Sequence, residues 1–570
     1  MLRRVRVAAL LLAVLLTAVL PAAAAGAEGD VVAVRLQPLL EGNGTIAGIE
    51  LASSAMLAEV YRQRGYRLAW DQDRLADFLR GLADAHRDGF YPRDFHARTI
   101  KARLAGRGLD GLPAAERVEL DLLLSDALLR YIHHQRFGKV DPGALDTQRA
   151  RGEAPAFAAL RRDLEAALEA RSLAAFLGQL TERPGFYRDL RQGLVRYRDI
   201  AGAGGWPPVP EGRNVESGMQ DAQVPAIRAR LAVTDGALAA ADPADADRFD
   251  EALKAAVERF QARHGLKVDG VVGPRTRAAM NVSVQQRIDQ IRVNLERMRW
   301  HAGAWHDDLL LVDIPGFRVD LYRGGRIVWS TRAIVGRPER GTPLFRDELA
   351  YLEFNPSWTV PPTILAEDIL PKMRRDASYL QTRGLRVIDR NGRGVSPEAV
   401  DWDRPAATFP YLLRQPPSAD NALGRVKFMF PNRYSVYLHD TPERGLFSWT
   451  RRALSSGCVR VEDPLRLAEL VLDAPQRWNQ ASMQALLDSG QTRVVHLDRP
   501  LPVVFSYWTA VADNQGIVHF RPDIYDRDQV LLRALDAGRA RPRIGPPPTA
   551  PTQTVDAARP RLEQVAEPTG

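Results

Sequence analysis

Apolar residues recur at three- and four-residue intervals through the first third of the chain. "LADFLRGLADAHRDGF" and "ERVELDLLLSDALLRYIHHQRFGKV" set leucines and alanines at that spacing with charges between them, which is the signature of amphipathic helices. Gly89, Pro92, Gly138 and Pro142 punctuate the run. The pattern predicts a helical scaffold over about 33–200, in which His133 and His134 read as surface or packing residues. The Gly/Pro linker "AGAGGWPPVPEGRN" (201–214) ends it. A smaller helical unit, 215–281, follows. "DRFDEALKAAVERFQARHGLKVDGVVGPRTRAAMN" presents Leu253, Val257 and Phe260 on one face, stops at Gly265, turns at "VDG" and restarts after Gly273-Pro274. Proline is well placed at a helix start, because its missing N–H would be unpaired there.

From Asp308 the period changes to two. "LLLVDIPGFRVDLYRGGRIVWSTRAIVG" alternates apolar and polar residues around an "RGG" hairpin turn, and "LAYLEFNPSWTVPP", "VKFMFPNRYSVYLHD" and "TRVVHLDRPLPVVFSYWTAV" read as further strands,. A β-rich domain over 307–510 is expected. The helical stretch "TILAEDILPKMRRDASYLQTRG" and a polar region to Asn421 interrupt it. An excursion that long inside a sheet domain predicts a lid or binding element at about 363–421. A C-terminal extension (511–538) and a Pro-rich tail (539–570), expected to be disordered, complete the chain. The fold class is multidomain α+β, in keeping with a length of 570 residues, which suits three or four domains of ~100–200 residues.

Composition narrows the setting. The start, "MLRRVRVAALLLAVLLTAVLPAAAAGAEGD", has a basic end, an apolar run from Val7 to Leu20, then Pro21 and small residues, as a secretory signal peptide does. The expectation is a signal peptide over 1–25, cleaved near Ala25 or Ala27; an uncleaved anchor over Val7 to Ala25 is the rival. No other segment reads as a membrane span. Removing Arg3, Arg4 and Arg6 lowers the net charge from +8 to +5. That mild basicity suits an anionic wall and excludes a nucleic-acid footprint. Export leaves a lone cysteine unable to form an internal disulfide, so Cys458 is either inert or reactive.

Cys458 lies 19 residues after His439, in "YLHDTPERGLFSWTRRALSSGCVRVEDP". Thiol acyl chemistry needs a base beside the sulfur and backbone donors aimed at the developing oxyanion. His439 ends a predicted strand and shares a face with Tyr437. Gly457 permits close backbone approach, and its N–H with that of Cys458 could form the oxyanion hole. Arg460 falls on the Cys458 face of an extended chain, where it could lower the thiol pKa or clamp a carboxylate. His301 and His306 are five apart, wrong for one helical face, so no zinc site is expected.

The stretch from His439 to Pro464 closely resembles the active-site motif of L,D-transpeptidases with a YkuD-type catalytic domain: a histidine, a spacer, then S-x-G-C-[IV]-R. "LSDALLRYIHHQRFGKVDP", "NPSWTVPPTILAEDILPKMRRD" and "YWTAVADNQGIVHFRPDIY" extend the likeness to the large periplasmic, YcbB-like branch of Gram-negative bacteria. "AVERFQARHGLKVDGVVGPRTRAAMN" resembles a three-helix peptidoglycan-binding domain of the type-1 family, with a bare structural spacer as the alternative. One departure is Ser456, where many shorter members carry histidine. The resemblance implies Cys458 as nucleophile, His439 as base, and the Gly457 and Cys458 N–H groups as oxyanion donors. It implies a donor pocket shaped by Tyr437, Trp358 and Arg460, with Ser455 positioning the loop. Whether a backbone carbonyl near Asp440 or a side chain orients His439 is left open. Peptidoglycan stems and glycan are the implied partners, with cell-wall synthesis proteins as candidates. The implied reaction is a 3→3 cross-link on tetrapeptide donors, without metal or cofactor. Hydrolysis or exchange at the same thioester is the alternative, and a non-enzymatic wall-binding scaffold the remote one.

Overall fold

Helix α1 (Ala114–Phe137) is buried on nearly every side from Leu120 to Gln135, as expected of a helix whose apolar residues spread around its whole circumference. The other scaffold helices pack around it through Leu57, Phe78, Phe95, Leu160 and Leu177. His133 and His134 belong to this interior. Burial pushes His133 down to about 4 and His134 well below the usual imidazole range, so both stay neutral. The computed structural model describes residues 30–38, 44–46, 48–145, 157–238, 245–301, 305–376 and 378–537. The signal-peptide and Pro-rich-tail readings lie outside the described residues.

Helix α2 (Gly185–Gly202) leads through the linker to a second helical unit, formed by α3 (Val224–Ala232), α4 (Glu251–Arg263) and α5 (Pro274–Asn281). Its core contains Ile227, Leu231, Leu253, Val257, Phe260 and Met280, which include the three residues expected from periodicity. Helix α6 (Val284–Arg299) then runs back against α2 and the scaffold. Arg299 and Glu296 pair at 2.7 Å in the interior. The same guanidinium donates to Asp88 O and Tyr187 Oη at 2.9 Å, while Glu296 accepts Val140 N–H at 2.7 Å. A buried pair with its remaining hydrogen bonds satisfied fixes one docking geometry.

The β-rich region is one nine-stranded sheet. Its strands are β1 (Leu309–Asp313), β2 (Arg318–Arg323), β3 (Arg326–Gly336), β4 (Arg346–Phe354), β9 (Val426–Met429), β10 (Leu438–His439), β11 (Ala453–Ser455), β12 (Val459–Val461) and β13 (Arg493–Ser506). The order is β11-β3-β12-β10-β9-β4-β13-β1-β2, and a further β2–β3 pairing curls it back on itself. The interior is filled by Leu310, Val319, Leu352, Phe428, Leu438, Val459 and Phe505.

The insertion holds more sheet than its sequence pattern suggests. β5 (Trp358–Thr359), β6 (Arg386–Ile388), β7 (Gly394–Val395) and β8 (Leu412–Gln415) form a separate sheet in the order β5-β8-β6-β7. Leu365, Ile369, Met373, Val387, Phe409 and Leu413 give it an apolar cluster of its own. Strands of two to four residues are too short to show alternation, so the sequence reads as polar loop. Beyond β13, the hairpin β14 (Ala510–Ala512) and β15 (Val518–Phe520) packs Val518 and Phe520 among residues of α2 and α6.

Candidate active site

Strand register builds the site. Glu353, Lys427, His439 and Arg460 stand directly opposite one another across β4, β9, β10 and β12, so their side chains share one face. Cys458 precedes β12, beside Tyr437, whose carbonyl accepts Val459 N–H at 2.9 Å. The thiol is half-buried, 3.8 Å from Ser435 O and against the Tyr437 backbone N–H. No hydrogen bond joins it to the imidazole among the described residues. Catalytic contacts often tighten only when substrate arrives.

His439 is buried, and its Nδ1 lies 2.5 Å from Asp440 O. A carbonyl can only accept, so Nδ1 carries the proton and Nε2 keeps its lone pair. This resolves the open question in favour of the backbone. Asp440 is itself held: its carboxylate accepts Arg425 N–H at 2.9 Å and Arg444 at 3.0 Å. Gly424 has φ +62°, and a Cβ there would meet the Asp440 side chain at 2.5 Å, so only glycine fits. Burial, then Arg460 and Lys427, push His439 down to about 3, against the upward pull of the Asp440 and Leu423 backbone.

The nucleophile loop is laced internally. Ser455 Oγ donates to Cys458 O at 2.5 Å and accepts Gly457 N–H at 3.1 Å. The Ser455 hydroxyl is thus engaged within the turn. Gly457 sits at φ +118°, a conformation that glycine tolerates and other residues resist. Its carbonyl accepts from Thr342 Oγ1 at 2.8 Å, and Thr342 N–H donates to Tyr525 Oη at 3.1 Å. Arg340 reaches Ser456 Oγ at 3.1 Å while pairing with Asp368 at 2.5 Å and with Glu367, both in the insertion. The insertion is thereby tied to the cysteine turn.

Of the three residues expected to shape a donor pocket, Tyr437 and Arg460 lie close enough to act on the thiol. Tyr437 stacks under Lys427 Nζ at 4.0 Å, and burial keeps its phenol protonated. Arg460 pairs with Glu443 at 2.5 Å. Trp358 lies in β5, paired with Gln415 and packed against the insertion's apolar cluster. Lys427, Thr342, Arg340 and Tyr525 were missed. Lys427 offered a faint signal, a lysine in the strand "VKFM"; the others act through contacts across 100 residues or more, which spacing does not report.

Burial raises the Cys458 thiol, and the opposing pull of Tyr437 N–H, Lys427 and Arg460 does not overcome it. Arg460 therefore acts in the expected direction but is outweighed. The resting pair is neutral thiol and neutral imidazole. Because the thiolate is the reactive form, alkylation of Cys458 by iodoacetamide is expected to keep rising with pH through the ordinary thiol range. Intact-protein mass spectrometry over a pH series checks this; a plateau at neutral pH would show an ion pair instead.

Residues 307–495 match the family described as the L,D-transpeptidase catalytic domain, which bears the name YkuD. The chain carries an L,D-transpeptidase catalytic domain. Residues 55–194 match the family described as the Scaffold domain, and 220–280 one provisionally described as a peptidoglycan binding domain. A Haemophilus influenzae protein provisionally named an L,D-transpeptidase is 37% identical over 246 residues, which cover 42% of this chain and 48% of that protein. The chain thus spans about half the length of the curated relative it matches. Among solved structures, an L,D-transpeptidase from Xylanimonas cellulosilytica is 15% identical with a TM-score of 0.16, over 52% of this chain and 98% of that one. The Ldtfm–avibactam carbamoyl enzyme is 12% identical with a TM-score of 0.17, over 35% and 49%. At these scores neither adds to the description of the fold. In the L,D-transpeptidase domain, both Cys458 and His439 fall inside the matched residues.

Proposed function

We propose that the protein is an exported peptidoglycan L,D-transpeptidase that forms 3→3 cross-links from tetrapeptide donor stems. The observation that carries this reading is the lone thiol on a glycine turn, one strand from a buried histidine whose Nδ1 faces Asp440 O, inside a transpeptidase domain. Cys458 Sγ attacks the carbonyl of the third stem residue as its proton passes to His439 Nε2. The N–H of Cys458 faces the oxyanion, and that of Gly457 joins it, since a charged acceptor displaces a hydroxyl from an N–H. The C–N bond breaks, His439 returns the proton to the departing D-alanine amine, and a thioester remains. The side-chain amine of another stem's third residue attacks the thioester, His439 takes its proton, and the sulfur leaves to recover its own.

The Thr363–Asn421 insertion acts as a lid over the cysteine turn, supported by its link through Arg340 to Ser456. The 215–281 unit holds the wall. Action on the wall places the enzyme outside the cytoplasm, and the periplasm with a cleaved signal peptide is the setting that fits; among the described residues no helix is long and apolar enough to cross a membrane. Purified protein given a disaccharide-tetrapeptide should yield cross-linked dimers one D-alanine lighter than two monomers by mass spectrometry. Tripeptide alone would convert the reading to a carboxypeptidase, and unchanged substrate would refute it.

A further inference from the structure

Far from Cys458 in sequence, a cleft of about 260 Å³ opens between α4, α5 and the start of α6 on one side and the end of β15 on the other. His264, Leu266, Ala278, Arg287, Phe520 and Arg521 contribute to its walls. A narrower crevice, also walled by His264, carries Arg196, Tyr197 and Arg263. The surroundings are crowded with positive charge. Arg230 and Arg287 are 1% and 7% exposed, yet no carboxylate acts on either among the described residues. Their oxygen partners are Met280 O, Thr234 Oγ1, Ala279 O and Gln290 Oε1. Two of these carbonyls close α5, where the helix dipole offers about half a negative charge. Arg263 shares the single carboxylate of Asp235 with Arg259. The Nε atoms of Arg263 and Arg287 are buried without a hydrogen-bond partner.

A buried guanidinium lacking a counter-charge is costly. Stacking offsets part of that cost: Arg287 lies 4.4 Å over Phe520 and Arg230 3.9 Å over Trp206, where the ring faces attract the cations. The charge left over is what an anion would balance. Burial lowers both arginines only to about 10, so they stay cationic at neutral pH, while His264 is held neutral by burial and by Arg287. Leu266, Ala278 and Phe520 face the same space, which suits small aliphatic groups beside the anion. We propose that this cleft binds the C-terminal carboxylate of a short peptide, with Arg287 as its principal partner. That the peptide is a wall stem rests on the transpeptidase reading above; the charge and the cavity do not.

The test titrates D-alanyl-D-alanine into the full-length protein by calorimetry, with inorganic phosphate as a second arm. Saturable binding of the dipeptide is expected. Arg287→Gln should weaken it about tenfold or more, the scale of one lost charge-assisted hydrogen bond. Ala278→Trp, at an exposed position on the cleft rim, should block it without removing a buried charge, and decides the matter should Arg287→Gln fail to fold. Both variants should still form the Cys458 adduct with a carbapenem at the normal rate. No dipeptide binding, binding unchanged in Ala278→Trp, or binding of phosphate alone would overturn the proposal. Loss of the adduct in the wild-type protein would instead strike the transpeptidase reading.

Discussion

Cys458→Ala is expected to abolish both cross-linking and covalent capture by a carbapenem, while leaving the protein folded. The sulfur is the atom that would carry the acyl group, and it is the chain's only thiol. Removing a nucleophile that acts as a unit with its base costs roughly 10⁴–10⁶-fold in rate, which here takes turnover below detection. The structural cost should be small, about 1 kcal/mol or less. The side chain is half-buried, and its contact with Ser435 O is a long one. The turn holds itself without the sulfur, through Ser455 Oγ and Thr342 Oγ1. Intact-protein mass spectrometry and a thermal melt check the two halves. An adduct or a 3→3 dimer made by the alanine variant would place the nucleophile elsewhere.

His439→Ala is the second large effect: acylation should slow by roughly 10²–10⁴-fold, the span of one positioned acid–base group. It should also lose about 1–3 kcal/mol of stability, because Asp440 O would be left buried without its donor. The direction of the pH dependence follows from the two shifts. With His439 held at about 3, protonation of the base disables the free enzyme only in strong acid. The raised thiol makes acylation climb with pH well above that. The wild-type rate of carbapenem capture should therefore increase from pH 6 to pH 9, and the alanine variant should follow the thiol alone. A bell centred near pH 6 would contradict the buried, neutral histidine. A variant with wild-type acylation rates would remove His439 from the chemistry.

The stability of the same interior has a matching sign. His133, His134, His264 and His439 are all neutral by burial, and the unfolded chain takes up protons below about pH 6.5 where these cannot. Each therefore removes stability as pH falls from 6.5 toward its folded value.

Much of the fold is legible in the sequence itself. Periodicity of three to four gave helices, because a helix buries one stripe; the core positions Leu253, Val257 and Phe260 followed directly. Alternation from Asp308 onward gave strands, because a pleat sends neighbours to opposite faces. A lone cysteine against Gly457, with His439 upstream and Arg460 beyond, suggested thiol acyl chemistry, and the resemblance to L,D-transpeptidases made it specific. What sequence alone determined about this protein was thus most of its element types, and it offered Cys458 and His439 as the candidate reactive pair. Only tertiary structure decided which strands are neighbours. That choice set Glu353, Lys427, His439 and Arg460 in one row, ran the Arg340 contact from the insertion to Ser456, and folded Phe520 against the helical units. The physical reason is that register and docking are fixed by burial summed over residues hundreds of positions apart, and the thiol and imidazole pKa values by how much water that packing excludes. Local pattern contains neither quantity.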